Sequence, residues 1–131
     1  MDIIEIIKEV LLKEIDPILI YIFGSFAQDK LREDSDIDIG FLSDEEVDPY
    51  KVFLIAQSLA DKVKREVDLI DISNASTVFK VQIIQGKNIY AKDKLSRENF
   101  EMLTLKEYAR LNEERSEVLE GIKRGVMEND G

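Results

Sequence analysis

Gly24-Ser25-Phe26-Ala27-Gln28-Asp29-Lys30-Leu31-Arg32-Glu33-Asp34-Ser35-Asp36-Ile37-Asp38 is the stretch on which the reading of this chain turns. It joins a Gly-Ser pair to an Asp-x-Asp pair across ten residues. Before it, Ile18-Leu19-Ile20-Tyr21-Ile22-Phe23 is an almost purely apolar run, the mark of a strand buried on both faces. After it, Asp36 to Leu42 alternates acid with apolar and then turns apolar throughout, which predicts a second strand. Asp36 and Asp38 are two apart on that strand, so their side chains face the same way. Two adjacent carboxylates repel one another and raise at least one pKa. A divalent cation offsets that cost, and Mg²⁺ prefers one or two carboxylates completed by phosphate oxygens and water.

Ser25 stands where a strand turns into a helix N-terminus, and Ser25 with Gln28 has the spacing of a capping box, so a short helix is predicted from there. Backbone N–H groups and a hydroxyl in such a place bind phosphate, and Gly24 lets the backbone approach closely. A phosphate holder and a metal holder are thus expected at the ends of neighbouring strands. Taken singly, Ser25 is an ordinary cap and Asp36 an ordinary strand start; the combination carries the functional reading.

Further out, Asp2 and Glu5 suggest a capped first helix over about 3–14, closed by Asp16-Pro17. Asp48-Pro49 places a cap before a proline at the first helical position, with Val52, Ala56, Leu59, Ala60 and Val63 as an apolar stripe. Val67 to Ile72 reads as a third strand, about 76–85 as a helix ending at Gly86, and Asn88 to Ala91 as a fourth strand. From about Ser96 to Lys123 the pattern is one long helix. It carries Phe100, Leu103, Leu105, Tyr108 and Leu111, with 105, 108 and 111 at i, i+3 spacing, then a charged stretch, then Val118, Leu119 and Ile122. The fold class expected is α/β, a small mixed sheet flanked by helices, in one domain over 1–131 with its core at about 1–95 and the long helix at about 96–124.

Composition narrows the chemistry. The 131 residues include no cysteine and no histidine. That removes disulfides, thiolate nucleophiles, His general bases and Cys/His zinc sites. Catalysis must then run on carboxylates, lysine, tyrosine or a hard metal. Acids outnumber bases 28 to 18, which disfavours a nucleic-acid substrate but not a triphosphate whose charge a divalent cation mediates. No apolar run approaches membrane-spanning length, and a cytoplasmic location is expected. Tyr21 and Tyr90 suit base stacking, but aromatic residues in strands more often belong to the core.

The Gly-Ser, the spacing to Asp-x-Asp, and the later strand Val67-Asp68-Leu69-Ile70-Asp71-Ile72 resemble the minimal nucleotidyltransferases of the DNA polymerase β-like superfamily over roughly residues 1–95. The resemblance implies a nucleotidyltransferase fold and two Mg²⁺ ions. It implies a third carboxylate beside Asp36 and Asp38, with Asp68 in its place and Asp71, on the opposite face of the strand, as the rival. It implies transfer of AMP from ATP to a hydroxyl, with Gly24 and Ser25 on the terminal phosphates. Where many relatives carry arginines and a glycine, this chain has Phe26, Gln28 and Asp29, with Lys30 and Arg32 nearby. Chains of this size resemble the antitoxins of HEPN/MNT toxin–antitoxin pairs, which attach AMP to a tyrosine of a HEPN ribonuclease. That points to a HEPN toxin as partner. A non-catalytic binding module and a stand-alone enzyme on a small molecule are the alternatives; retention of Gly24, Ser25 and all three acids argues against the first, and the absence of a substrate domain against the second.

Overall fold

Helix α1 spans Ile3–Glu14 because Ile7, Val10 and Leu11 recur at helical spacing and all three are buried. The expected Asp2 cap is only half realised: Asp2 takes the extended cap conformation, but its side chain makes no capping hydrogen bond. The computed structural model describes residues 2–24 and 35–129, with side chains through 122. The element order is α1, β1 (Leu19–Phe23), β2 (Ile37–Leu42), α2 (Pro49–Val63), β3 (Val67–Asp71), a 3-10 turn (Ile72–Asn74), α3 (Thr77–Ile84), β4 (Lys87–Ala91) and α4 (Lys94–Asn129).

The strands form one mixed sheet in the order β3-β2-β1-β4. β1 pairs antiparallel with β2 and β4, and β2 pairs parallel with β3. Every residue of β1 is buried, as the unbroken apolar run requires. Its side chains divide between two cores. Ile20 and Ile22 join Ile37, Ile39, Phe41 and Leu69 under α1 and α2. Leu19, Tyr21 and Phe23 lie on the other face with Ile72 and Ile83, packed by Phe79 and Phe100. Each buried Ile, Leu or Phe of these layers contributes about 1.5–3 kcal/mol relative to exposure.

α2 begins where expected, with the Asp48 carboxylate accepting from the Tyr50 N–H at 3.0 Å and Pro49 at the first helical position. β3 is one residue shorter than expected. Asp71 turns its carboxylate back to accept from the N–H and hydroxyl of Ser73, at 3.1 and 2.7 Å, and this caps the 3-10 turn instead of extending the strand. α4 starts two residues earlier than the periodicity indicated, because the Asp93 carboxylate accepts from the N–H and hydroxyl of Ser96 at 2.7 and 3.0 Å. Those bonds to the charged form hold the Asp93 carboxyl below its ordinary range.

The base of α4 is fastened to the sheet by Tyr21. Its hydroxyl donates to Glu101 Oε1 at 2.8 Å, and Arg97 Nε donates to the same oxygen at 3.0 Å. Burial, and then the neighbouring Glu101, push the Tyr21 hydroxyl well above the usual phenol range, so it stays a donor. Tyr21 is a core residue and is not available to a base. No helix among the described residues is long and apolar enough to cross a membrane.

Candidate active site

The site is set by strand register. Because β2 runs antiparallel to β1, the first residues of β2 lie beside the last of β1, and Asp38 sits opposite Phe23. Because β3 runs parallel to β2, its first residues lie at the same end of the sheet, and Asp68 sits opposite Asp38. Cross-strand partners project to one face, so two acids separated by thirty positions in sequence become immediate neighbours. Asp36 lies just ahead of β2, exposed, and Asp68 is exposed as well, while Asp38 is half-buried.

The electrostatics report this gathering. The Asp38 carboxyl is raised above its ordinary value, first by burial, then by the charge of Asp68, then by that of Asp36. Asp71 has no part in it. It pairs across to Phe41, on the opposite face, and its carboxylate is engaged by Ser73.

Gly24 closes the site from the β1 side. It leaves the strand at φ +74°, in the left-handed region open to glycine, and a side chain there would fall on Asp38 Oδ2 and stand 3.3 Å from Asp38 Cγ. The backbone at Gly24 therefore lies directly against the carboxylate. Ser25, Lys30 and Arg32, with the short helix expected from Ser25 onward, lie outside the described residues.

Two residues that shape this end of the sheet, Phe79 and Gly40, were not singled out from the sequence, and Gly86 was expected only as a helix end. Phe79 meets Phe23, the cross-strand neighbour of Asp38, edge to face, with centroids 5.6 Å apart and planes at 88°. Gly40, next along the face from Asp38, makes room for Ile72 and Ile83, whose atoms would stand 3.1–3.3 Å from any Cβ. Gly86 brings the α3–β4 turn against the end of β1, where a Cβ would come within 2.9 Å of Phe23 Cα. A glycine inside a strand signals such a close approach, so Gly40 was findable; Phe79 and Gly86 required the topology.

The donor set suits a hard divalent cation. All three acids offer oxygen, and nothing in the chain supplies sulfur or imidazole. Among the described residues no three acids stand close enough to form a ready-made metal cluster. Mg²⁺ requires no such cluster, since it takes one or two carboxylates and completes its shell with water and phosphate oxygens. The raised Asp38 carboxyl, crowded by two like charges, is the feature a cation relieves.

Residues 5–95 match the family model described as polymerase beta, nucleotidyltransferase. The protein adenylyltransferase MntA of Shewanella oneidensis is 35% identical over 105 residues, which are 79% of this chain and 75% of that protein. Two solved structures share the architecture. A toxin–antitoxin crystal structure with AMP-PNP contains a chain 31% identical, with a TM-score of 0.81, over 91% of this chain and 97% of that one. The complex of a tri-AMPylated Shewanella oneidensis HEPN toxin with its MNT antitoxin contains one 30% identical, with a TM-score of 0.76, over 92% and 95%.

Proposed function

This chain belongs to the polymerase β nucleotidyltransferase family, and from that premise we propose that it is the antitoxin of a toxin–antitoxin pair, an adenylyltransferase moving AMP from ATP to a hydroxyl of a HEPN toxin. The observation that carries the reading is the juxtaposition of Asp38 with Asp68 in register, with Asp36 ahead of them and the Gly24 backbone against Asp38. A protein that neutralised its partner by contact alone would have no use for a half-buried acid crowded by two others at one sheet end.

We assign Asp36, Asp38 and Asp68 as the residues that hold Mg²⁺. When bound, the metal supplies charge neutralisation at the phosphates and polarises the reacting oxygens. Gly24 and Ser25 hold the terminal phosphates through backbone N–H groups and the Ser25 hydroxyl. The acceptor hydroxyl attacks the α-phosphorus in line, a new oxygen–phosphorus bond forms, and the bond to pyrophosphate breaks. Asp68, exposed at the mouth of the site, takes the proton released from that hydroxyl.

The acceptor is macromolecular in this reading, as it is in the AMPylated toxin complex whose antitoxin chain this one resembles. The cytoplasm, where ATP and a ribonuclease toxin meet, is the compartment that fits. The test is intact-mass analysis of the toxin after incubation with this chain, ATP and Mg²⁺. Mass increments of whole AMP units support the reading, and an unmodified toxin that is nevertheless neutralised replaces it with a binding antitoxin.

A further inference from the structure

α4 is 36 residues long, about 54 Å at the helical rise, and only its first part rests on the domain. Phe100 and Thr104 are the inward residues of that part, with Tyr108 and Leu111 half-buried behind them. Leu105, which the sequence grouped with Tyr108 and Leu111, is 51% exposed and points elsewhere. Beyond Leu111, every residue from 112 to 122 is exposed.

The inward stripe resumes beyond the domain. Residues 100, 104, 108 and 111 share one side of the helix, and 118 and 122 return to it by the 3.6-residue period, with Arg115 interrupting it and 119 at its margin. Those three positions are Val118, Leu119 and Ile122, exposed by 62, 64 and 60%. The opposite side of the same segment carries Glu113, Glu117 and Glu120. A free helix of this length is marginal in water, and amphipathic packing is what stabilises helices in proteins. A helix face with apolar positions at 111, 118, 119 and 122 is the pattern read by a hydrophobic groove.

We infer that the distal half of α4 is the docking element for the toxin, seating Val118, Leu119 and Ile122 in an apolar groove of that partner. The inference rests on the function proposed above and adds the surface through which the acceptor is held. One observation favours the toxin over a second copy of this chain. The match to the chain in the AMP-PNP toxin–antitoxin structure leaves about a dozen residues of this chain uncovered, fewer than lie beyond Leu111, so at least the first part of the projection has a counterpart in a chain crystallised with a toxin.

The experiment uses the full chain and a HEPN-family toxin that it neutralises on co-expression. Val118→Gln, Leu119→Gln and Ile122→Gln are introduced together, a change that keeps helix propensity while removing the apolar face. Calorimetry reads affinity for the toxin and, separately, for Mg-ATP; sedimentation reads self-association; intact mass reads AMP transfer. The triple variant is expected to bind the toxin about ten-fold or more weakly with Mg-ATP affinity unchanged. Unchanged toxin affinity overturns the inference, as does loss of self-association without loss of toxin binding, which assigns the face to a second copy. An equal loss from Phe53→Gln, on an exposed part of α2, also overturns it. If the parent chain binds the toxin but transfers no AMP, the transferase reading fails and the docking inference stands; the reverse result separates them in the other direction.

Discussion

Asp38 and Asp68 face each other across neighbouring parallel strands, at the end of the sheet where Gly24 leaves β1. The fold places these like charges side by side and half-buries one of them, so the unliganded protein carries an electrostatic cost at this point. That cost has a pH signature. A carboxyl raised in the folded state binds its proton more tightly there than in the unfolded chain. Its contribution to stability is therefore fullest below the ordinary carboxylate pKa and is lost as pH rises through the raised value. Asp38→Asn removes this dependence. With divalent cations chelated, the variant is expected to melt about 2 °C above the parent at pH 7, and the gap is expected to close in acid. Thermal unfolding at both pH values checks it; a lower melting point at pH 7 would contradict the repulsion.

Gly24→Ala tests the contact from the other side. The left-handed backbone costs an alanine about 1–2 kcal/mol, and its methyl displaces the Asp38 carboxylate. Stability is expected to fall by about that amount. AMP transfer is expected to fall more steeply, by about 100-fold, because a displacement near 1 Å at a reacting centre costs that much. Denaturant unfolding and a transfer assay on the same preparation measure the two effects.

Asp68 and Asp71 differ in a way that two variants expose. Asp68→Asn is expected to lower transfer by about 100-fold or more with little change in stability. Asp71→Ala removes the acceptor for Ser73 and is expected to cost about 1 kcal/mol of stability, with transfer little changed. The opposite pattern in the transfer rates would make Asp71 the third carboxylate.

Tyr21→Phe addresses the fastening of α4. Losing the bond to Glu101 is expected to cost about 1–2 kcal/mol and to speed amide exchange in the first turns of α4, with Mg-ATP affinity unchanged. In the parent, no phenolate absorbance from this residue is expected near the ordinary tyrosine pKa, since burial and Glu101 hold the proton on.

Much of this fold was legible because its elements announce themselves locally. α1 and α2 follow from apolar spacing, and the start of α2 from Asp48-Pro49. β1 follows from an unbroken apolar run. What local pattern did not disclose were competing hydrogen bonds and tertiary choices. Asp71-x-Ser73 and Asp93-x-x-Ser96 are side-chain capping spacings that shift the end of β3 and the start of α4, and both stand in the sequence for a reader who looks for them. The face of α4 that turns inward was only partly legible, because Phe100 stood in the apolar pattern while nothing in it marked Thr104 as buried or Leu105 as exposed. The acid pair Asp36 and Asp38 was readable from spacing and Asp68 was preferred from the family resemblance, whereas its place directly beside Asp38 comes from the parallel register of β2 and β3.

If these acids make the chain an AMP transferase acting on its toxin, removing two of their charges must abolish the modification. The toxin is co-expressed with the parent chain, and separately with the Asp36→Asn, Asp38→Asn double variant, and its intact mass is measured. A toxin carrying whole AMP units is expected beside the parent chain and an unmodified toxin beside the double variant, which remains folded by circular dichroism. A toxin modified equally by both would contradict it.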